Sequence, residues 1–292
     1  MKLWGQPVPR HIVFRALMSI GIEKSDPLVL LRWYDDVGVD ECVGAEPVNR
    51  LDLAKPEPAV AHRNEETRPR PVPRRVAERA SGDPVAEARR LAENCATLSE
   101  LKQAIEDFDE CALKRSARNT VFADGNPAAP VMFVGEAPGQ EEDAQGLPFV
   151  GPAGKLLDKM LAAIGRDRNS AYISNIVNWR PPGNRTPSLQ EAMICLPFIK
   201  RHIQLAGPRI VVLLGGTAAK HLMDTTEGIM RLRGKWSELM PDDFGQRVVA
   251  ALPTLHPAYL LRQPAHKRLA WQDFLALDSR LRALGETPPG ED

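Results

Sequence analysis

Short runs of almost uninterrupted aliphatic residues recur at 131–134, 171–177, 209–214 and 247–252. Continuous rather than alternating hydrophobicity, rich in Val and Ile, predicts strands buried on both faces. Between these runs the apolar positions switch to helical spacing, over 153–164, 188–205 and 217–223, with a last helix at about 267–284. The second of these opens on a Ser188…Glu191 capping box. Upstream, Thr97-Leu98-Ser99-Glu100 is a second box, followed by Leu101, Ala104, Ile105 and Phe108 on one helical stripe. Alternating strand and helix predict a three-layer α/β/α fold around a central, mainly parallel four-stranded sheet.

The pattern also divides the chain. Residues 1–53 hold an amphipathic stretch, Asp26-Pro27-Leu28-Val29-Leu30-Leu31-Arg32-Trp33-Tyr34, which predicts an N-terminal helical segment. Residues 54–85 scatter Pro56, Pro58, Pro69, Pro71, Pro73 and Pro84 among charges, with little to bury, and are expected to form a disordered linker. The globular part is placed at 86–286, with a disordered tail at 287–292.

Composition narrows the function classes. Lys+Arg and Asp+Glu both number 38 in 292 residues, so the net charge is zero. This excludes a purely electrostatic nucleic-acid binder but allows a local basic face. The cysteines, Cys42, Cys95, Cys111 and Cys195, are too few and too scattered for a disulfide scaffold. No apolar run has the length of a membrane span. Lys2, Pro7, Pro9, Arg10 and His11 break any leader-like pattern at the N-terminus. A soluble cytoplasmic protein is expected.

In an open parallel sheet the ligand crevice lies beyond the carboxyl ends of the strands. The segments there are Gly135-Glu136-Ala137-Pro138-Gly139, then Asn175 with Asn178-Trp179-Arg180-Pro181-Pro182-Gly183-Asn184-Arg185, then Gly215-Gly216-Thr217, and His256-Pro257-Ala258-Tyr259-Leu260-Leu261-Arg262. The first turn lacks the Lys-Ser/Thr of a phosphate-binding loop and is too short for a dinucleotide fingerprint. Glu136, with Glu141, Glu142 and Asp143 behind it, would repel phosphates. A carboxylate in such a turn suits orienting water or steadying a developing cation; the plainer alternative is a solvated turn residue.

Taken together, Val134-Gly-Glu-Ala-Pro-Gly-Gln-Glu-Glu-Asp143, Pro148-Phe-Val-Gly151, Asn175, Arg180-Pro-Pro-Gly-Asn-Arg185 and His256-Pro-Ala-Tyr-Leu-Leu-Arg262 resemble a bacterial family-four uracil-DNA glycosylase over about 108–280. The resemblance implies base flipping and hydrolysis of the bond joining uracil to deoxyribose, leaving an abasic site. It implies that Glu136 activates water and that His256 donates to the departing base. Ala137, Phe149 and Asn175 would line the uracil pocket, with Phe149 stacking and Asn175 reading the base edge. Glu142 would exclude a thymine methyl group. Leu260 or Leu261 would wedge into the vacated stack, while Arg262 and Arg185 would meet the DNA backbone. DNA containing uracil, single- or double-stranded, is the expected partner, and the protein is expected to be a monomer. A non-catalytic module for damaged or single-stranded DNA is the alternative on the same scaffold. A nucleotide-binding protein using the glycine turn is a weaker one.

The resemblance further implies a four-cysteine iron–sulfur cluster, and here this sequence departs from the family. Cys111 and Cys195 match two ligand positions, but Phe108 and Trp179 occupy the others. Two thiolates do not hold a four-iron cluster. No cofactor is therefore expected, the cluster volume being filled by aromatic packing. The alternative, a four-iron cluster rescued by Cys42 or Cys95, suffers from ligand spacing unlike any known set.

Overall fold

The computed structural model describes residues 83–239 and 248–289. The expected helical segment at 1–53, nearly all of the linker, Cys42 and residues 290–292 lie outside the described residues. Each aliphatic run forms a strand: β2 (Val131–Gly135), β3 (Tyr172–Asn175), β4 (Ile210–Leu214) and β6 (Val249–Thr254). The sheet is wider than expected. Two very short strands, β1 (Asp124–Gly125) and β5 (Ser237–Leu239), add antiparallel edges, giving the order β1-β3-β2-β4-β6-β5. The four central strands are parallel, with registers such as Gly135↔Asn175 and Val134↔Leu213.

Successive side chains of a strand point to opposite faces, and the core divides on that parity. Met132, Val134, Val211 and Leu213 join one buried cluster. It also holds residues of α1 (Pro84–Asn94), α2 (Leu98–Asp107) and α5 (Leu189–Ala206). Val131, Phe133, Ile210, Val212 and Leu214 join the other. There they meet Leu157 and Leu161 of α4 (Pro152–Ala162) and Phe274, Leu277 and Leu281 of α9 (Lys267–Ala283). This is the three-layer arrangement. Four further short segments complete the helices described: α3 (Gln140–Gln145), α6 (Gly216–Leu222), α7 (Ile229–Leu232) and α8 (Pro257–Arg262). Among the described residues no helix is long and apolar enough to cross a membrane.

Two expected boundaries shift. Helix α1 begins at Pro84, inside the segment read as linker, because the Asp83 side chain accepts the Val85 N–H at 3.0 Å as an N-cap. Pro84 is a helix-starting proline rather than a linker residue. At the other end, Pro288 is buried against Gly165, so the chain stays packed past 286.

His202 of α5 is 1% exposed, stacked on Phe122 at 4.2 Å, with Nε2 paired to the Tyr172 hydroxyl at 2.9 Å. Burial lowers its pKa to about 3. The folded protein therefore keeps this ring neutral while the unfolded chain protonates below the ordinary value of 6.5. Stability should fall as pH drops from 6.5, by about 1.4 kcal/mol per pH unit for this residue. Thermal melts between pH 7.5 and about pH 5 check this, and His202→Gln should flatten the slope by one histidine's share.

Candidate active site

The rim at the carboxyl ends of β2, β3, β4 and β6 borders a cleft of about 1110 Å³. It is lined by Glu136, Ala137, Glu142, Phe149, Asn175, His256, Leu261 and Arg262 among others. The sequence expectation of a common rim is met, although the space is a wide cleft rather than a pocket for a single ring.

Gly135 draws the site together. A Cβ there would fall 2.4 Å from Asn175 Oδ1 and 2.6 Å from the tip of the Phe149 ring, so only glycine lets the two side chains close over the strand end. Asn175, the last residue of β3, is 2% exposed, and its Oδ1 is buried without a hydrogen-bond partner. An orphaned buried acceptor costs about 1–3 kcal/mol and calls for an explanation. A ligand N–H donor would supply one.

Phe149 stacks on His256, ring centroids 5.5 Å apart and planes 30° from parallel. Its backbone is unusual, with φ 55°, a conformation that costs energy in a bulky residue. Two residues that sequence reasoning missed impose it. Arg168 donates to the carbonyls of Pro148 and Phe149 and is itself held by Asp158 at 2.9 Å and by Asp124. Gly154 lies so close that a Cβ would be 1.6 Å from the Phe149 carbonyl oxygen. Neither carries a local signal; both act through contacts distant in sequence.

His256 caps α8, accepting the Ala258 N–H at Nδ1 over 3.1 Å, which leaves the ring proton on Nε2. Burial, with the Arg262 charge adding to it, lowers its pKa to about 4. The ring is neutral at physiological pH and offers an N–H donor. Glu136 is partly buried, and its Oε2 accepts a 2.5 Å hydrogen bond from the Thr217 hydroxyl.

Other expected residues have different surroundings. Glu142 spends both carboxylate oxygens on backbone, accepting Gly139 N–H at 3.1 Å and Gly151 N–H at 2.9 Å. It thereby ties the start of α3 to the start of α4 and sets the spacing of two cleft-lining loops. Of the two leucines expected to supply a wedge, Leu260 is 1% exposed and packs with Leu255 and Ala270, whereas the neighbouring Leu261 is 42% exposed on the cleft. Arg185 is committed to a bidentate pair with Glu191, at 2.7 and 2.8 Å, which holds the Glu191 carboxyl down at about 2. It thereby anchors the loop to α5. Arg262 is exposed at the cleft mouth.

The four family cluster positions all lie inside the core. Phe108, Cys111, Trp179 and Cys195 are 3%, 0%, 1% and 0% exposed within one apolar cluster. Phe108 packs edge-on to Phe198 at 5.2 Å, and Trp179 Nε1 donates to Thr120 Oγ1 at 3.0 Å. Interaction with the neighbouring Cys111 thiol, together with burial, raises the Cys195 thiol well above its ordinary range. The Cys95 thiol donates to the Leu91 carbonyl at 3.2 Å. Among the described residues no group of three His, Cys, Asp or Glu is placed to hold a metal ion.

Fold and rim define a class: an α/β protein with a cleft beyond the carboxyl ends of its parallel strands, where open parallel sheets bind their ligands. The particular family follows from comparison, since the model of the uracil DNA glycosylase superfamily matches residues 122–275, and the chain belongs to that superfamily. It is similar to the type-4 uracil-DNA glycosylase of Sulfurisphaera tokodaii, 36% identical over 200 residues, covering 66% of this chain and 86% of the relative. The Thermotoga maritima type-4 uracil-DNA glycosylase is 36% identical over 190 residues, 63% of this chain and 95% of the relative. That of Pyrobaculum aerophilum is 39% identical over 176 residues, 58% of this chain and 86% of the relative.

Proposed function

We propose that this chain is a DNA repair glycosylase that hydrolyses the bond between uracil and deoxyribose and leaves an abasic site. The observation that carries the reading is the orphaned Asn175 Oδ1 beside the Phe149 ring. Uracil presents an N3–H donor next to the O4 acceptor, which an amide matches with its oxygen and its NH₂. Cytosine presents the reverse pair and leaves the amide oxygen unsatisfied, a penalty that discriminates.

Cleavage develops positive charge on the sugar and negative charge on the leaving base, so both signs need prearranged partners. Glu136 directs the attacking water and its anion favours the sugar cation. The neutral His256 donates a hydrogen bond to the base oxygen that gains charge. Burial keeps that imidazole from protonating, and it acts as a donor without needing to lose a proton. Phe149 stacks on the flipped base, and Ala137 lines its pocket. Glu142 holds the loops that bound the pocket, and through them limits room beside the base. Leu261 enters the vacated stack and Arg262 meets a phosphate. The substrate is uracil-containing DNA of either strandedness, and the enzyme acts as a cytoplasmic monomer.

The family's iron–sulfur cluster does not fit the residues present. Two thiols and two aromatic side chains form a packed apolar cluster, not a four-thiolate donor set. Phe108 and Trp179 fill the volume that ligands and inorganic cluster would need. The purified protein is therefore expected to be colourless above 350 nm and to carry no stoichiometric iron. Metal analysis that finds about four irons per chain would overturn this.

The activity itself is tested with a uracil-containing oligonucleotide incubated with the protein and then treated with alkali. Strand cleavage at uracil, and not at cytosine or thymine, is expected. An oligonucleotide bound tightly but left intact would favour the non-catalytic reading, and absence of any interaction would remove the DNA assignment.

A further inference from the structure

We propose that Thr217 is a positioning residue for this hydrolysis, holding the Glu136 carboxylate in one orientation. The inference rests on the role given to Glu136 above. Strands β2 and β4 are parallel neighbours with Val134 opposite Leu213, so the turns that leave them run side by side. Glu136 lies in the first turn. Thr217 lies in the second, just inside α6, and its hydroxyl donates to Glu136 Oε2 at 2.5 Å across 81 positions of sequence.

A short hydroxyl–carboxylate hydrogen bond restricts rotation of the carboxylate plane, which matters because a water must be aimed at one carbon atom. Thr217 does not itself line the cleft, whereas Glu136 does, so it acts through the carboxylate. At Gly215, with φ 93°, a Cβ would stand 3.0 Å from His256 Cβ, so this turn is pressed between the Glu136 and His256 segments.

Other ionisable groups surround Glu136. His221, one helical turn after Thr217 on α6, interacts with it electrostatically; burial and Lys220 lower the His221 pKa while Glu136 opposes them. Glu141 and Glu142 of α3 face the same cleft, as do His256 and Arg262. None of these donates a hydrogen bond to Glu136 among those described, which leaves Thr217 as the described donor on that carboxylate.

The test is a single-turnover rate on a uracil-containing oligonucleotide for Thr217→Val, Thr217→Ser, Glu136→Ala and the Glu136→Ala/Thr217→Val double variant. Valine keeps the shape and removes the donor; its rate should fall roughly tenfold or more. Affinity for the DNA should hold while the rate falls. Serine should recover most of the rate, and the double variant should be no slower than Glu136→Ala alone. A valine variant with the wild-type rate, failure of serine to recover the rate, or additive losses in the double variant would each overturn the proposal. A wild-type rate for Glu136→Ala would instead remove the role of Glu136, and the proposal with it.

Discussion

Replacing Glu136 by alanine lowers single-turnover uracil excision by about a hundredfold or more, the range for losing a positioned catalytic group. The side chain stands at the carboxyl end of β2, on the cleft, with one oxygen already pinned by Thr217. Its removal takes away both the water-directing acceptor and the negative charge that favours an oxocarbenium-like sugar. Because the carboxylate acts only as the bond breaks, affinity for the oligonucleotide should be little changed. Glu136→Gln separates the two contributions, since an amide oxygen can still accept from Thr217 but carries no charge. A rate for Glu136→Ala equal to that of the parent protein would remove the carboxylate from the mechanism.

Replacing Asn175 by alanine has the other large effect. Excision of uracil falls on the order of a thousandfold, with little loss of melting temperature. The reason for both lies in the same atom. Asn175 Oδ1 has no partner in the protein, so deleting it removes no hydrogen bond made through that oxygen and relieves a buried unsatisfied acceptor. Against uracil, however, the variant loses the acceptor for N3–H and the donor for O4. A site that stabilises the protein poorly and recognises one base edge well is the usual compromise at a functional position. An alanine variant that unfolds while its residual folded fraction works at full rate would mark Asn175 as structural instead.

Much of this protein is legible along the chain because its strongest signals are local. Aliphatic runs too continuous for a half-exposed sheet gave four parallel strands, and capping boxes at Thr97 and Ser188 mark helix starts that the structure reproduces. The rule that ligands bind beyond the carboxyl ends of parallel strands then places Glu136, Asn175 and His256 on one rim from the sequence alone. The edge strands β1 and β5 escape such reasoning. At two and three residues they are too short to have a period, and they exist because a neighbouring strand offers free hydrogen-bonding groups.

Sequence alone determined the fold class, the rim and the chemical identity of the residues on it, because strand and helix periodicity and turn composition depend on near neighbours. Tertiary structure alone decided which candidates face the ligand. It buries Leu260 and exposes Leu261, gives Arg185 to Glu191, spends Glu142 on two backbone amides, and buries Phe108 and Trp179 in the same apolar cluster as two thiols. It also brings in Arg168, Gly154 and Thr217, which no motif singled out as site residues. Such choices turn on helix phase and on partners tens of residues away, and those distances are closed only when the chain folds.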